Sequence, residues 1–225
     1  MYKRKILYTE DGSSTIELIG KNENFHSIHG AIQESEHIFI KNGLLQKAKN
    51  QNNIQIFEMG FGTGLNALLS LLFGIKNNLT IDYIGIEAFP LENSLIEKLN
   101  YSEILKLNTV EADYFNQMHL AKWDNKMELC PNFLFEKRLE KLEDIDLPNE
   151  AFDLVYFDAF NPSFQPELWT EDIFRKVYLS MKPQGILMTY SAKGIVKRAL
   201  KAAGFQLNAL SGPKGKREIT QAIKS

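Results

Sequence analysis

Three glycines at alternate positions, Gly60, Gly62 and Gly64, separate a short apolar run from a longer one. The first run, 54–58, has the pattern of a buried strand, and the second, 65–75, has that of a buried helix. Glycine permits a positive φ and lets a ligand lie against bare backbone. A strand, a glycine-rich turn and a helix in this order therefore favour a nucleotide-cofactor site, although such a turn can also simply connect two elements.

The spacing of the glycines separates the cofactor classes. A dinucleotide site requires G-x-G-x-x-G, whereas the third glycine here comes one residue early, and no G-K-[ST] ends the turn as in a P-loop. An acid, Glu58, closes the strand. The stretch resembles motif I of the S-adenosylmethionine-dependent methyltransferases, whose cofactor carries no phosphate. The candidate cofactor-binding residues of this motif are Glu58, Gly60, Phe61, Gly62, Thr63, Gly64 and Asn66.

A second carboxylate ends the next strand pattern. The apolar run 81–87 finishes on Glu87, and an acid at the tip of a neighbouring parallel strand can accept hydrogen bonds from both ribose hydroxyls of a nucleoside. A surface carboxylate at a strand end is the alternative interpretation. Because both patterns occur in register, we predict a nucleoside cofactor with Glu87 among its ligands.

A third carboxylate, Asp158, ends the apolar run 152–158 and precedes a loop rich in Pro and aromatic residues. At the carboxyl end of a parallel strand it lies where open α/β sheets bind ligands, so it can hold an amine near the cofactor. We predict that Asp158 is the catalytic residue. The loop supplies flat apolar side chains for a base, unless they pack inward. The candidates for substrate contact are Phe160, Pro162 and Trp169.

Histidines before the first core strand raise the question of a metal. His26, His29 and His37 lie within twelve positions, but no Cys or carboxylate completes a ligand set at a suitable spacing, so we predict no metal. His29 and Glu34 remain candidates for the cofactor site, because a segment just before the first core strand can fold back over the ligand.

Basic residues are concentrated towards the C-terminus. The net charge is −2, yet residues 182–217 hold eight of the 26 basic residues and no acid, so the other 18 basic residues stand against 28 acids. A stripe of one sign is usually a solvated helix face, but on an otherwise acidic protein it favours contact with phosphates. Nucleic acid is the predicted partner. The candidate contacts are Lys193, Lys197, Lys214, Lys216 and Arg217.

Strand and helix patterns alternate from residue 50 onwards. This alternation predicts a Rossmann-like α/β fold with a mostly parallel seven-stranded sheet and helices on both faces. Strands are predicted at 54–58, 81–87, 132–137, 152–158, 183–190, 205–210 and 218–223, and helices at 65–75, 91–103, 167–181 and 193–203. The remaining segment, 104–132, has no clear period and is predicted to be an insertion with short helices.

The first fifty residues have a different pattern. Residues 3–19 predict a β-hairpin around Asp11-Gly12, and a loop then leads into a helix that breaks near Asn42-Gly43. A hairpin of this size is not stable alone, so it must lean on the sheet. We expect residues 1–50 to pack on a methyltransferase domain that spans 51–225, as one structural unit.

Composition places the chain among ordinary globular proteins. Of its 225 residues, 44% are hydrophobic and 24% charged, which suffices for one substantial core. The single cysteine, Cys130, excludes an internal disulfide, as expected in a reducing cytoplasm. The N-terminus lacks the apolar core of a signal peptide and no apolar run is long enough to span a bilayer, so we expect a cytoplasmic protein without a membrane partner.

Motifs spread over nearly the whole chain carry a family resemblance. They are Ser27-Ile-His-Gly-Ala-Ile-Gln-Glu-Ser35, Glu58-Met-Gly-Phe-Gly-Thr-Gly-Leu-Asn66, Glu87, Asp158-Ala-Phe-Asn-Pro162, Pro166-Glu-Leu-Trp-Thr170, Thr189-Tyr-Ser-Ala192 and Gly212-Pro-Lys-Gly-Lys-Arg-Glu218. This set resembles the tRNA 5-aminomethyl-2-thiouridine methyltransferases. The sequence departs from that family at Lys137-Arg138, where Gly-Asp is common, so the acid of the adenine site is not assigned.

The resemblance implies a specific reaction. A methyl group would pass from S-adenosylmethionine to the aminomethyl nitrogen of the wobble uridine of certain tRNAs, giving 5-methylaminomethyl-2-thiouridine. In many bacteria the domain is fused to a flavin-dependent oxidase that makes its substrate. Because this chain ends at Ser225, we expect a separate oxidase or another enzyme to supply the amine.

Two other functions stay open at this point. One is an aminopropyltransferase of the spermidine synthase type, which also modifies amines on this fold and needs no basic C-terminal region. The other is a catalytically inactive tRNA-binding module that retains the fold. Binding of S-adenosylmethionine separates the second from an active enzyme, since an inactive module has no need of the cofactor.

Overall fold

The computed structural model describes residues 2–225, and it begins with a small antiparallel sheet. Its strands are β1 (Arg4–Tyr8), β2 (Ser14–Leu18) and β3 (Glu23–Asn24). The predicted hairpin is present, and Tyr8 pairs with Ser14 beside its turn. Gly12 adopts a φ of 84° there, which suits glycine. Ile16 and Leu18 of β2 are buried, so this sheet packs on the rest of the molecule.

A continuous helical stretch follows this small sheet. It consists of α1 (Ala31–Ser35), a π-helical segment (Glu36–Leu44) and α2 (Leu45–Ala48). The predicted break near Asn42-Gly43 is wrong. A Cβ atom on Gly43 would lie 3.1 Å from Met188 Cγ and 3.3 Å from Leu154 Cδ1, so this glycine allows the helix to pack closely against the sheet.

The large sheet has eight strands. In chain order they are β4 (Asn53–Met59), β5 (Thr80–Ile86), β6 (Met127–Cys130), β7 (Phe133–Arg138), β8 (Phe152–Phe157), β9 (Met181–Thr189), β10 (Gln206–Ser211) and β11 (Glu218–Ile223). Their order across the sheet is β10-β11-β9-β8-β4-β5-β7-β6. The five strands from β9 to β7 pair in parallel, whereas β6, β10 and β11 run antiparallel to their neighbours.

The sequence predicted seven strands, and β6 is the additional one. It is a four-residue edge strand within the segment predicted to be an insertion of short helices. Edge strands pair on one side only, so their sequence lacks the continuous apolar run of a central strand. The Rossmann-like, mostly parallel architecture is confirmed, and the strand count is corrected to eight.

The helices that cover the sheet are mostly short. They are α3 (Leu65–Asn77), α4 (Asn93–Ile96), α5 (Tyr101–Ile104), α6 (Thr109–Leu120), a 3₁₀ turn (Pro166–Trp169), α7 (Glu171–Ser180) and α8 (Gly194–Ala202). The single helix predicted over 91–103 is thus two short helices. Among residues 2–225, no helix is long and apolar enough to cross a membrane.

Strand alternation decides which face of the sheet each side chain joins. Ile56 of β4 and Leu154 of β8 belong to the apolar cluster beneath α3 and the π-helical segment. Phe57 and Val155, one position later, belong to the cluster beneath α7 and α8. Because successive side chains point to opposite faces, even-numbered residues of both strands share the α3 face. Glu58 of β4 and Asp158, which follows β8, are therefore directed to the same side of the sheet.

Candidate active site

A cavity of about 860 Å³ opens at the carboxyl ends of β4, β5 and β8. Its walls come from stretches that are distant in sequence, namely 23–29 with Glu34, 59–66, 86–89, 140–143 and 158–168. The glycine turn, two of the predicted carboxylates and the segment before the first core strand thus meet around one space. The volume is within the roughly 300–1,000 Å³ of small-molecule sites.

Gly60 and Gly62 give this cavity a floor of bare backbone, whereas Gly64, predicted as a cofactor contact, is buried against Phe61 and His119 and does not line it. Gly60, Gly62 and Gly64 have φ angles of 93°, 52° and 73°, in the region that favours glycine. A Cβ atom on Gly60 would lie 2.7 Å from the carbonyl oxygen of Asp158, so only glycine lets the turn pass this close to the end of β8. Gly64 also serves as the N-cap residue of α3.

Two carboxyl groups share one amide beneath the cavity, which Asn66 and Asp158 line and the fully buried Glu58 does not. Asn66 Nδ2 donates hydrogen bonds to Glu58 Oε1 at 2.9 Å and to Asp158 Oδ2 at 3.0 Å. Tyr83 OH donates to the other oxygen of Glu58 at 2.8 Å. Asn66 lies in the first turn of α3, Glu58 lies one residue before the end of β4, and Asp158 directly follows β8. Because both acids are directed to the α3 face, all three side chains meet.

Burial changes the proton affinity of both acids. Glu58 is 0% exposed, and this burial raises its pKa well above the usual range, although the hydrogen bonds from Asn66 and Tyr83 oppose the change. Burial and, to a smaller degree, the negative charge of Glu34 raise the pKa of Asp158 to about 7, although the Asn66 hydrogen bond and the charge of Lys216 oppose the change. Asp158 can therefore exchange a proton near neutral pH.

Glu87 lies at the tip of β5 and lines the cavity. Its Oε2 atom accepts a hydrogen bond from the Gly62 amide at 3.0 Å, and its Oε1 atom accepts one from the Phe89 amide at 2.8 Å. Each carboxylate oxygen keeps a second lone pair for a further donor. The acid of the second strand and the glycine turn are therefore in direct contact.

The segment before the first core strand folds back over the cavity, and Glu34 is its buried acid. Glu34 Oε2 accepts a hydrogen bond from the Ser27 amide at 2.7 Å, and Lys216 Nζ lies 2.8 Å from Glu34 Oε1. His29 lines the cavity too, but its Nδ1 atom lies 2.8 Å from Glu10 Oε1. Its ring is therefore held from the side of the N-terminal sheet.

The aromatic loop divides into a face on the cavity and a buried base. Phe160 lines the cavity and makes an edge contact with Phe25, with ring centroids 5.0 Å apart. Trp169 is only 3% exposed, packs against Phe157 and donates from Nε1 to the Phe160 carbonyl at 2.9 Å. The predicted stacking of Trp169 on a base does not agree with this burial; its indole supports the loop. Pro162 is buried and lies outside the cavity.

Most of the predicted basic contacts already have acidic partners in space. Lys197 pairs with Glu218, Lys214 with Glu10 and Lys216 with Glu34. The remaining two, Lys193 and Arg217, are exposed and form no ion pair among residues 2–225. Although residues 182–217 contain no acid, acids from other parts of the chain therefore lie beside three of these basic residues.

Several residues of the site were not predicted. Tyr83 holds Glu58, and Tyr190 lines the cavity and donates from its hydroxyl to the Ala159 carbonyl at 2.9 Å. A polar tyrosine in the middle of the apolar run 81–87 is a detectable signal for the first. The glycine turn itself is fixed from below, since Phe61 is buried in the core and Thr63 Oγ1 accepts from Tyr101 OH at 3.1 Å.

No group of three or more His, Cys, Asp or Glu side chains within 2–225 has an arrangement that could hold a metal ion.

The C-terminal half of the chain matches a family model. The model describes an S-adenosyl-L-methionine-dependent methyltransferase and covers residues 105–225. The chain therefore belongs to this methyltransferase family. It is an enzyme with S-adenosylmethionine as its cofactor, as the glycine turn predicted.

Similar proteins point to one branch of these enzymes. The chain is 27% identical over 95% of its length to the "tRNA 5-methylaminomethyl-2-thiouridine biosynthesis bifunctional protein MnmC" of Burkholderia mallei (strain SAVP1), of which it covers 34%, and equally identical to the protein of that name from Burkholderia multivorans. The chain spans about a third of the length of the curated relatives it matches.

Solved structures agree with this relationship. The crystal structure of MnmC2 from Aquifex aeolicus matches all of this chain and 71% of that chain, with a TM-score of 0.81 and 26% identity. Spermidine synthase from Thermotoga maritima also matches the whole chain and 70% of its own, with a TM-score of 0.59 and 16% identity. The second likeness shows a shared fold alone.

The cavity fits the cofactor of the family in three respects. The glycine turn presents backbone without Cβ atoms, and Glu87 has lone pairs free at the end of the neighbouring strand. Asn66 is 3% exposed, and its Oδ1 atom has no hydrogen-bond partner among residues 2–225. A buried acceptor without a donor is costly, so a bound ammonium or hydroxyl group would satisfy it.

Proposed function

We propose that this enzyme transfers the methyl group of S-adenosylmethionine to the aminomethyl nitrogen of 5-aminomethyl-2-thiouridine at the tRNA wobble position. The product is 5-methylaminomethyl-2-thiouridine. The names of the MnmC relatives and the likeness to MnmC2 support this acceptor. The observation that carries the proposal is the position of Asp158, a carboxylate beside the glycine turn that is held by Asn66 and faces the cavity.

The cofactor supplies a methyl group on a positively charged sulfur, which is already activated for transfer to a nucleophile. We assign Glu58, the turn from Gly60 to Gly64, and Asn66 to its amino-acid part. Glu87 accepts from the ribose hydroxyls, and His29 and Glu34 close the cavity from the N-terminal side. The residues 140–143 line the same cavity, where the departure at Lys137-Arg138 leaves the adenine contact to another side chain.

Asp158 acts on the acceptor nitrogen. The nitrogen must be neutral so that its lone pair can form the new bond to the methyl carbon as the carbon–sulfur bond breaks, with neutral S-adenosylhomocysteine as the leaving group. One proton of the nitrogen must leave during or after the transfer. A carboxylate with a pKa of about 7 orients the amine by a hydrogen bond and accepts that proton directly or through water. Holding the nitrogen in line at close distance accounts for much of the remaining rate enhancement.

The acceptor base enters between the aromatic loop and the N-terminal segment. Phe160 and Phe25 offer an edge-to-face pair at the cavity wall, and a base can stack on such a surface. Trp169 contributes from below by its hydrogen bond to the Phe160 carbonyl. Lys193 and Arg217 lie at the outer side of the loop, where tRNA phosphates would pass.

The proposed reaction requires a tRNA that already carries the aminomethyl group. The relatives are named bifunctional proteins, and this chain covers 34% of the first of them. We infer that an oxidase or another enzyme activity converts the precursor nucleoside to the amine before this methyl transfer. Addition of that enzyme to tRNA that carries the precursor should make methylation by this protein possible.

Methyl transfer to tRNA from a strain that lacks the modification tests the proposal. Purified protein, labelled S-adenosylmethionine and this tRNA should give 5-methylaminomethyl-2-thiouridine on nucleoside mass spectrometry, and tRNA that already carries it should take up no label. Binding of the cofactor without transfer to any tRNA would contradict the acceptor assignment. Aminopropyl transfer from decarboxylated S-adenosylmethionine to putrescine would instead support the spermidine synthase alternative.

A further inference from the structure

A shallow groove of about 630 Å³ lies beside the cavity and shares Asn161, Tyr190 and Lys216 with it. We call it the side groove. Its other lining residues are Pro162, Ser191, Ala192, Lys193, Lys197, Arg217 and Glu218. The two spaces are therefore adjacent, and a nucleotide bound in the cavity would have its neighbours along the strand within reach of the side groove.

The side groove has an excess of positive charge. Of its four basic side chains, Lys197 pairs with Glu218 and Lys216 pairs with Glu34. Lys193 has only neutral acceptors, because its Nζ atom donates to Asn161 Oδ1 at 2.7 Å and to Ser163 Oγ at 3.0 Å. Lys193 and Arg217 therefore form no ion pair among residues 2–225, although the charge of Lys193 opposes the rise that burial causes in the pKa of Glu23.

The side groove also contains the start of a helix. Ala192 and Lys193 line it, and α8 begins at Gly194 and runs for nine residues. Lys193 is the N-cap residue, its side chain makes no cap hydrogen bond, and the first turn holds no acid. The amide groups of a first helical turn have no partner within the helix, and the helix dipole favours an anion there.

Ser191 provides an independent observation at the same place. It lines the side groove and is 4% exposed, and its Oγ atom has no hydrogen-bond partner among residues 2–225. Thr189, two residues earlier, shows the contrast, because its Oγ1 atom accepts a hydrogen bond from the Ser191 amide. This buried hydroxyl lies beside a helix N-terminus and two basic side chains that form no ion pair. A ligand with several acceptor oxygens would satisfy all of these groups.

We propose that the side groove binds a backbone phosphate of the substrate strand, next to the nucleotide whose base enters the cavity. The ligand class, a phosphodiester, rests on the proposed function; the anion site itself rests on Ser191, Lys193, Arg217 and the start of α8. Lys193 holds Asn161 in the loop that follows Asp158. A phosphate bound there would therefore fix the strand and the catalytic loop relative to each other.

A modified RNA tests the contact directly. An anticodon stem-loop with the aminomethyl nucleoside is compared with the same RNA in which one flanking phosphate is a neutral methylphosphonate. We expect Arg217→Gln to weaken binding of the native RNA about tenfold. It should also reduce the slope of log affinity against log salt by about 0.7, as for loss of one single-strand phosphate contact. Ser191→Ala should weaken binding of the native RNA in the same direction.

Non-additivity separates a specific contact from general attraction. With the methylphosphonate at the contacted position, Arg217→Gln should have little further effect, because the charge it recognises is gone. Lys201→Gln is the matched control, since Lys201 is an exposed lysine on α8 that lies outside the side groove. The proposal would be overturned if Arg217→Gln and Lys201→Gln lost the same affinity for RNA whichever phosphate is replaced by methylphosphonate.

Inorganic phosphate distinguishes a strand contact from a site for the free ion. Amide resonances of Ile195 and Val196 should shift on phosphate titration in wild type and much less in Ser191→Ala. If these resonances shift but no methylphosphonate changes RNA affinity, the side groove is a site for free phosphate. That result would overturn the assignment to the substrate strand. Phosphate shifts in a protein that fails to methylate the native RNA, which carries the aminomethyl nucleoside, would instead contradict the proposed acceptor, while the anion site would stand.

Discussion

The amide nitrogen of Asn66 bridges two carboxyl groups that end neighbouring strands. This arrangement uses one donor for both, so the protonation of Glu58 and Asp158 is linked through a single side chain. Glu58 is fully buried and Asp158 faces the cavity, and burial raises both pKa values. The deeper acid is suited to hold a proton and the outer one to exchange it near neutral pH.

Charges around Asp158 should set the pH dependence of methyl transfer. Because the carboxylate is the active form, kcat/KM should rise with pH through an apparent pKa of about 7. Glu34→Gln removes a nearby negative charge and should move this limb to lower pH, whereas Lys216→Gln removes a positive charge and should move it to higher pH. Shifts of the two variants in the same direction would contradict the role of Asp158.

The free energy of unfolding of Glu58→Gln should increase relative to that of wild type as pH rises. The pKa of Glu58 lies well above 4.5 in the folded state, and in the unfolded chain it returns to about that value. Above pH 4.5 the unfolded state binds fewer protons than the folded one, so the free energy of unfolding falls with pH, by about 1.4 kcal/mol per unit of pKa difference. Glu58→Gln removes this loss.

Urea denaturation from pH 4.5 to 9 measures that effect. Glu58→Gln should gain stability relative to wild type with increasing pH, while its affinity for S-adenosylmethionine falls. The matched control is Glu103→Gln, at an exposed carboxyl group on α5, whose stability should follow wild type. A constant difference between Glu58→Gln and wild type at every pH would show that Glu58 is ionised when buried.

Some residues of the site were predictable from the sequence, and others were not. The carboxylates Glu58, Glu87 and Asp158 were predicted because each ends an apolar run, and strand ends of a parallel sheet meet at one edge. The orientation of Trp169 was not predictable, because an aromatic residue in a Pro-rich loop has the same pattern whether it faces a ligand or the core. Its burial depends on Phe157 and Phe174, which lie on other elements.

At the scale of elements, the central strands were predictable and the edges were not. Strands β4 and β8 have both faces covered and thus appear as near-continuous apolar runs. Strand β6 has four residues and one neighbour, and α6 has polar residues on most of its surface. A start signal for α6 is nevertheless present, because Asn108 and Glu111 form a capping box.

The glycine turn predicts a large difference between two alanine substitutions. Gly60→Ala combines left-handed strain with a contact of 2.7 Å to a backbone oxygen, and should cost about 3 kcal/mol in unfolding free energy. Gly20→Ala places alanine at a φ of 77° with nothing within 4 Å, and should cost about 1 kcal/mol. Chemical denaturation measures both. Equal costs would mean that strain alone makes glycine necessary at position 60.

At the scale of the whole molecule, the two ends of the chain meet over the cavity. The loop between β10 and β11 brings Lys214 to Glu10 and Lys216 to Glu34. Gly215 lies against the His29 ring, since a Cβ atom there would be 2.1 Å from Cδ2. Such contacts join segments far apart in sequence, so charge counts along a window could not reveal them.

Cofactor binding should therefore be visible far beyond the glycine turn. Hydrogen exchange with S-adenosylmethionine present should slow at the amides of Gly62 and Ser27, which line the cavity from segments distant in sequence, while buried Val155 of β8 should change little. Protection confined to the glycine turn would contradict closure of the cavity by the N-terminal segment.

The effect of Asp158→Asn on methyl transfer, measured with cofactor affinity in the same preparation, tests the central claim most directly. Asparagine keeps an oxygen for the Asn66 hydrogen bond but cannot accept a proton. Methyl transfer to hypomodified tRNA should fall about hundredfold or more, with the dissociation constant of S-adenosylmethionine nearly unchanged. A variant that methylates the tRNA at the wild-type rate would show that another group presents the nitrogen, and would contradict the account.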